Sequence, residues 1–429
     1  MRPSQSKILL AFLFPISTTS FSPVGFQKGE QVLPHLLLSA SWKDIEHELG
    51  ESFRADRPIS IDSVLDTSTP KFSTDRPTLF RERHGWCPYS ERVWLALELG
   101  NVEYDTVRID NTGGGRPSYF GGTTPQMKWP DGKTQGESMD LVYRLDEEYD
   151  LGFQSDSSKV RDCVSQFQSI FPRARPSSRA AYLFQYNGSP LSRSTFEQTL
   201  QGVDDLLAQS SNNGPFFCGD ALTAADIGWA PFLERYRYQL PCLHRGLEPN
   251  DPEKYPHLAE WYKAMDQIPE YICRVRGDAS SWRKVLNMAG FGNAGLPPEI
   301  EANIEERLEA ERVEAEQCIN VDTWKDYAST RAFAGKSPGY DVACIIAKNR
   351  DAILKDALKN GKKQAGMSSE IGELDNSLQS LALALMGDEV AKSERGVKAF
   401  AQFLDMRMCV PRDMGAMSAA TIKLLAVEE

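Results

Sequence analysis

Apolar and polar positions change period twice between residues 78 and 149. Thr78-Leu79-Phe80-Arg81-Glu82 has the pattern of a short strand, and His84-Gly85-Trp86 is the turn after it. From Cys87-Pro88-Tyr89-Ser90 onward, Val93, Leu95, Ala96, Leu97 and Leu99 supply the buried face of a helix that ends at Gly100. A second strand is predicted from Glu103 to Ile109. After the loop Gly113-Gly114-Gly115, Thr124-Pro125 opens a third strand that runs through Gln126, Met127 and Lys128 to Trp129. Pro130-Asp131-Gly132-Lys133 is a hairpin signal, and Glu137-Ser138 starts a helix to about Tyr149 with Leu141, Val142 and Leu145 apolar.

From about Ser155 the period is helical throughout. Val160, Val164, Phe167 and Phe171 mark one face, and Thr195 to Leu207 is a second amphipathic segment. Thr223-Ala224-Ala225-Asp226 has capping-box spacing ahead of an apolar helix, a folding role for Thr223 and Asp226. Gly290 to Pro298 reads as a linker. Beyond it, Glu299 to Ile319 is an acidic helix with Ile300, Ile304, Leu308, Ala315 and Ile319 on one face. Val342 to Leu358, Ile371 to Leu385 and Val397 to Met406 are further helical stretches, predicted to pack as a small bundle against the second domain.

Composition narrows the function. The 429 residues carry a net charge of −12, which argues against a nucleic-acid or anionic-membrane binder. Eight cysteines with no CxxC pair give neither a zinc ribbon nor a disulfide framework. His244 and His257 lack ligand-spaced partners, so no metal is expected. Arg173, Arg175 and Arg179 form a basic cluster broken by prolines, read as a solvated loop. At the N-terminus, Arg2 and Lys7 precede a short apolar run, Ile8 to Ile16, and then Ser17 to Ser20, as in a secretory signal. The run is shorter than the roughly 20 apolar residues of a membrane span. Phe21 directly after that site resembles the two-part presequences of secondary plastids, with residues 1–20 as signal and 21–75 as transit peptide and linker. Plastid delivery is therefore expected, with secretion or the ER lumen as the alternative. Within that stretch, Ser41 to Asp44 can cap a short helix to Leu49, and residues 51–75 read as extended linker.

One cysteine carries the chemistry. Cys87 stands at a predicted helix start, where free N–H groups and the helix dipole favour a thiolate. Ser90 occupies the second position of a would-be CxxC, so no disulfide can form within the motif. The order strand, Cys-Pro-Tyr-Ser helix, strand, Thr-Pro strand, Asp-Gly turn and Glu-Ser helix resembles the cysteine-type glutathione transferases, the omega, lambda and dehydroascorbate-reductase classes. Leu222-Thr223 with Asp226, and Tyr255 to Met265, resemble their all-helical domain, so the likeness covers roughly residues 76–285.

The resemblance implies a thioredoxin-like α/β domain at 76–150, an all-α transferase domain at 155–289, a linker at 290–298 and a helical extension at 299–429. It makes Cys87 the redox nucleophile and Pro125 a cis-proline, with Thr124 pairing its backbone with the cysteinyl part of glutathione. Glu137 and Ser138 would hold the γ-glutamyl ammonium and carboxylate. The glycyl carboxylate has no clear lysine here; Arg116 and Lys128 are both candidates. Tyr182, Trp229 and Tyr236 are candidates for an acceptor cleft, with helix core the favoured reading of any single one. The implied function is a monothiol, glutathione-dependent thiol transferase or reductase, acting on a small molecule or a glutathionylated protein. Glutathione is the co-substrate, and a homodimer is open. A non-catalytic carrier or docking module with an acidic tail is the first alternative, and conjugation of glutathione to electrophiles is the second.

Overall fold

The computed structural model describes residues 40–427, apart from 56, 67, 112–115, 173–181, 186, 210–212, 292–294, 362–363 and 395. The signal segment, the first part of the transit segment, the Gly113–Gly115 loop and the Arg173–Arg179 cluster lie outside the described residues. Ser41 caps helix α1 (Trp42–Leu49): its hydroxyl accepts from the Asp44 N–H, and the Asp44 carboxylate accepts from the Ser41 N–H at 2.7 Å. The one-turn helix α2 (Glu51–Arg54) and the strand β1 (Ser60–Asp62) follow. Residues 51–75 are thus not plain linker. β1 lies parallel to a later strand and forms the sheet edge, but three residues with two polar side chains carry no period to announce a strand.

The sheet comprises β1, β2 (Thr78–Glu82), β3 (Asp105–Ile109), β4 (Gln126–Lys128) and β5 (Thr134–Gln135), in the spatial order β1-β3-β2-β4-β5. β1, β3 and β2 run parallel, while β4 and β5 are antiparallel neighbours joined at the Pro130–Lys133 turn. β2 is buried along its whole length and connects to β3 through α3 (Pro88–Leu99). Helices α3 and α4 (Ser138–Tyr149) pack on the Leu79 and Met127 side, and Phe80, Val107 and Phe120 cluster on the other. This alternation is the two-residue period of a strand.

The second domain holds α5 (Ser158–Ile170), α6 (Arg193–Ala208), α7 (Ala224–Leu243), α8 (Pro256–Met265) and α9 (Ala279–Val285). The predicted capping box is present. Asp226 accepts from the Thr223 N–H at 2.9 Å, and also from the Phe217 N–H and the Trp261 indole at 3.1 and 3.0 Å.

The extension consists of α10 (Pro298–Cys318), α11 (Val321–Ser329), α12 (Pro338–Lys348), α13 (Arg350–Asn360), α14 (Ile371–Leu385), α15 (Glu389–Lys392), α16 (Val397–Arg407) and α17 (Ala416–Val427). It packs on the first domain as well as the second. Trp42, Ile45 and Leu49 of α1 share a core with α12, α14 and α16, and Arg331 donates to the Glu98 carbonyl of α3 at 2.8 Å. Gly415 lies so close to Cys273 that a Cβ there would stand 1.7 Å from the Cys273 carbonyl oxygen. The expected apolar face of α10 is not buried as such: Ile300 is covered, but Leu308 is 45% exposed. Ion pairs accompany the packing of Ile300 and Ile304, Glu311 with Arg283 and Glu314 with Arg237 at 2.9 Å, besides an exposed pair of Glu306 with Arg245 at 2.6 Å. Among the described residues no helix is long and apolar enough to cross a membrane.

Candidate functional site

Where β2 ends, the buried carboxylate of Glu82 turns the chain. It accepts the N–H groups of His84 at 3.1 Å and Trp86 at 2.7 Å, while Gly85 takes φ of 79°, a conformation that favours glycine. Cys87 is thereby set at the N-cap of α3 with Pro88 in the first turn. Its thiol is half-buried and lies 3.9 Å from the Thr124 carbonyl oxygen. The Thr124–Pro125 peptide is cis, as expected.

The Thr124 hydroxyl accepts from Asn111 at 2.7 Å, and the Asn111 amide oxygen accepts from Arg116 at 3.3 Å. Arg116 also bonds the Gly122 carbonyl, which ties it to the loop before the cis-proline. Lys128 goes elsewhere. It pairs in register with Thr78, at the end of β2 remote from Cys87, and its ammonium lies 5.0 Å over the Phe72 ring. Of the two basic candidates, only Arg116 stands beside Thr124.

Glu137 is exposed and adopts φ of 62°, uncommon for a residue with a side chain. Ser138 follows, buried, as the first residue of α4, and its hydroxyl accepts from Arg92 at 3.3 Å. Arg92 was not singled out in the sequence. It is buried, donates to the Gly228 carbonyl of α7 at 2.8 Å and lies against the rings of Tyr89, Phe167 and Phe232. One side chain thus joins the Ser138 corner to the helical domain. Its position on the buried face of α3 is the only sequence signal that could have marked it.

Of the acceptor-cleft candidates, Trp229 and Tyr236 belong to the helix core. Trp229 and Tyr236 are both 0% exposed, and their polar atoms are used internally, the indole on the Cys163 carbonyl at 3.1 Å and the phenol on the Tyr182 carbonyl at 3.0 Å. Aromatic rings of this kind close a helical core, and nothing in helical spacing separates that role from lining a cleft. Tyr182 is also buried; its ring meets Phe232, which Tyr89 of the Cys87 turn also touches, both at 5.5 Å. Tyr89 is the exposed member of this group.

The extension clasps the cysteine turn. The Trp86 indole donates to Cys409 Sγ at 3.1 Å, and that thiol reaches the His84 carbonyl at 3.5 Å. Pro411 fills the space beside Gly85. The Arg412 guanidinium contacts His84 Nδ1 at 2.9 Å, and the His84 ring stacks on Trp86. Burial and this guanidinium hold the His84 imidazole below its ordinary pKa. Its ring is engaged by the extension and by Trp86.

Beneath the turn, Arg235 of α7 donates to the Trp86 carbonyl at 3.1 Å and pairs with Glu91 of α3 at 2.8 Å, both side chains fully buried. Burial pushes the Glu91 carboxyl well above the usual carboxylate range. Neighbouring Glu234 accepts from Trp282, Gly277 and Tyr271.

Residues 86–148 match the family description "Glutathione S-transferase, N-terminal domain", and residues 175–264 match "Glutathione S-transferase, C-terminal domain". Glutathione S-transferase L3 of Arabidopsis thaliana is 25% identical over 235 residues, 51% of this chain and 89% of that protein. Glutathione S-transferase DHAR2 of the same plant is 27% identical over 220 residues, 50% of this chain and 87% of that protein. Glutathione S-transferase L2, chloroplastic, also from Arabidopsis thaliana, is 23% identical over 197 residues, 43% of this chain and 62% of that protein. Beside a mixed sheet, a helical second domain and further helices beyond them, the chain thus has two stretches, residues 86–148 and 175–264, that are similar to the two domains of the glutathione S-transferase family.

Proposed function

We propose that the protein is a glutathione-dependent thiol transferase or reductase working through Cys87. The observation that supports this most is the half-buried thiol at the N-cap of α3, facing the cis Thr124–Pro125 peptide. The Cys87 thiolate attacks the glutathionyl sulfur of a mixed disulfide, and the substrate thiolate leaves. The thiolate of a second glutathione then attacks the Cys87 mixed disulfide, releasing oxidised glutathione and restoring the Cys87 thiolate. Dehydroascorbate is the alternative oxidant, with the thiolate adding first to a carbonyl. The docking alternative loses ground because glutamates of α10 are already paired with arginines of the second domain. Turnover of glutathionylated hydroxyethyl disulfide and of dehydroascorbate tests the reading. Activity only in conjugating electrophiles would replace it with a transferase in the narrow sense.

Glutathione is assigned its γ-glutamyl end at Glu137 and Ser138, its cysteinyl backbone at Thr124, and its glycyl carboxylate at Arg116. A side-chain-bearing residue held at positive φ costs free energy and recurs where a ligand needs that geometry. The Glu137 carboxylate would meet the ligand ammonium, and the N–H groups at the start of α4 would meet its carboxylate. Glu137→Gln keeps the shape and removes the charge. It should weaken glutathione binding about tenfold, the lower end for a charge-assisted hydrogen bond at an exposed site. Unchanged affinity by calorimetry would move the γ-glutamyl site elsewhere.

Delivery to a plastid is proposed from the signal-like run and Phe21. Because Trp42 and Ile45 belong to a core shared with the extension, any processed N-terminus should fall between residues 21 and 41. N-terminal sequencing of the protein from its native cell checks this, and a mature chain starting after Ile45 would contradict it.

A further inference from the structure

A cavity of about 480 Å³ lies apart from the glutathione site, between the sheet and the extension. Its floor is the α3 side of β1, β3 and β2, where Arg81 and Arg108 stand side by side in register. α3 closes one flank with Trp94 and Glu98. The roof comes from α12, α13 and α16, with Ile345, Ile353 and Phe403 presenting apolar surface. The exposed Asn349 and Arg407 mark the mouth. A pocket of this volume and apolar lining is of the size that takes a small organic molecule.

Its charge is unbalanced at depth. Every lining carboxylate is engaged: Glu98 accepts from Tyr104 at 2.7 Å and Trp94 at 3.3 Å, Asp356 pairs with Arg407, and Asp413 pairs with Arg412. Arg81 and Arg274 have no carboxylate partner among the described residues. Arg81 is 3% exposed and donates to the Glu82 carbonyl at 3.1 Å, and Arg274 donates to the Pro411 carbonyl at 3.1 Å. Both guanidinium groups lie over the Trp94 ring, at 4.4 and 4.8 Å. Arg108 adds a third guanidinium; its Nη2 pairs with Asp62 at 3.8 Å, while its Nε is buried and without a hydrogen-bond partner. Burial, then the proximity of Arg274 and Arg108, pushes the Arg81 pKa down to about 10. A protein keeps buried positive charge only where something compensates it.

We infer that this cavity binds a small amphipathic anion, its carboxylate, sulfonate or phosphate on Arg81, Arg274 and Arg108 and its apolar body along Ile345, Ile353 and Phe403. The arginine fork suits such oxygen pairs, and the walls suit a hydrocarbon chain or ring. Because the roof is built entirely from the extension, this site gives residues 299–429 a function of their own.

The test is calorimetric titration of the full chain with decanoate, in the presence of saturating glutathione. One decanoate should bind per chain, and decanol, with the same chain length and no charge, should bind at least about tenfold more weakly. Arg274→Gln should lose about tenfold in decanoate affinity, and Ile353→Trp, at the wall, should abolish binding while the thermal transition stays cooperative. Decyl phosphate in place of decanoate distinguishes a phosphate from a carboxylate ligand, and binding of either sustains the site. Absence of saturable binding, equal affinity for decanol, an unchanged Ile353→Trp, or one-for-one displacement by glutathione would each overturn the inference.

Discussion

Replacing Cys87 by serine is expected to lower thiol-transferase turnover by at least about 1,000-fold while leaving the fold intact. The change keeps the size of the side chain, and the half-buried thiol reaches the Thr124 carbonyl only at 3.9 Å, so little packing is lost. What disappears is the sulfur that forms the mixed disulfide, and a hydroxyl at neutral pH offers no ionised nucleophile. Oxidised glutathione should add one glutathionyl group to the native protein, mapped to the peptide containing Cys87, and none there in the variant. Alkylation alone is a weaker readout. A hydrogen bond from Cys163 is the main cause lowering the half-buried Cys218 thiol to about 7, so Cys218 should also take label at neutral pH. Peptide mapping separates the two. A Cys87→Ser protein that retains most of its turnover would hand the chemistry to another residue and restore the carrier reading.

Arg235→Leu is expected to destabilise the protein by about 3–5 kcal/mol, the usual cost of stripping one partner from a buried ion pair. Arg235 and Glu91 are fully buried at 2.8 Å, with Glu234 close by. Without the guanidinium, two carboxylates share an apolar interior. The Trp86 carbonyl also loses a donor at 3.1 Å, one residue before Cys87. Chemical denaturation should therefore show a lower midpoint, and the remaining folded protein should turn over more slowly. The double variant Arg235→Leu with Glu91→Leu should recover most of the stability, since it removes the stranded charge and fills the space. It should not recover the turnover, because the Trp86 carbonyl stays unanchored. Full recovery of both would make the cluster a matter of core stability alone.

The tertiary structure also changes what the extension is for. Its 409–412 segment contacts Trp86, Gly85 and His84, so the turn that presents Cys87 is held from one side by Glu82 and Arg235 and from the other by the extension. A structural brace and the cavity between sheet and extension come from the same packing.

Sequence by itself determined the elements whose signals are local. Thr124-Pro125, Cys87-Pro88, Ser41 with Asp44, and Thr223 with Asp226 each act within a few residues, through a proline ring, a helix cap or a reciprocal hydrogen bond. Amphipathic α14 and α16 were equally legible, because one face meets solvent and the other meets core. Where that contrast fails, so does the reading. α17 is buried on most sides and shows no apolar stripe; Asn349 divides into α12 and α13 what reads as a single helix from Val342 to Leu358. α10 buries Ile300 and packs Ile304 at its start, while farther along ion pairs and not an apolar stripe meet the second domain. The separation of Arg116 from Lys128, the burial of Trp229 and Tyr236, and the meeting of Arg81 with Arg274 were decided only by the tertiary structure. Apart from the local ties of Arg116 to Asn111 and Gly122, these depend on residues about fifty to two hundred positions apart, whose distances follow from how the two domains and the extension pack.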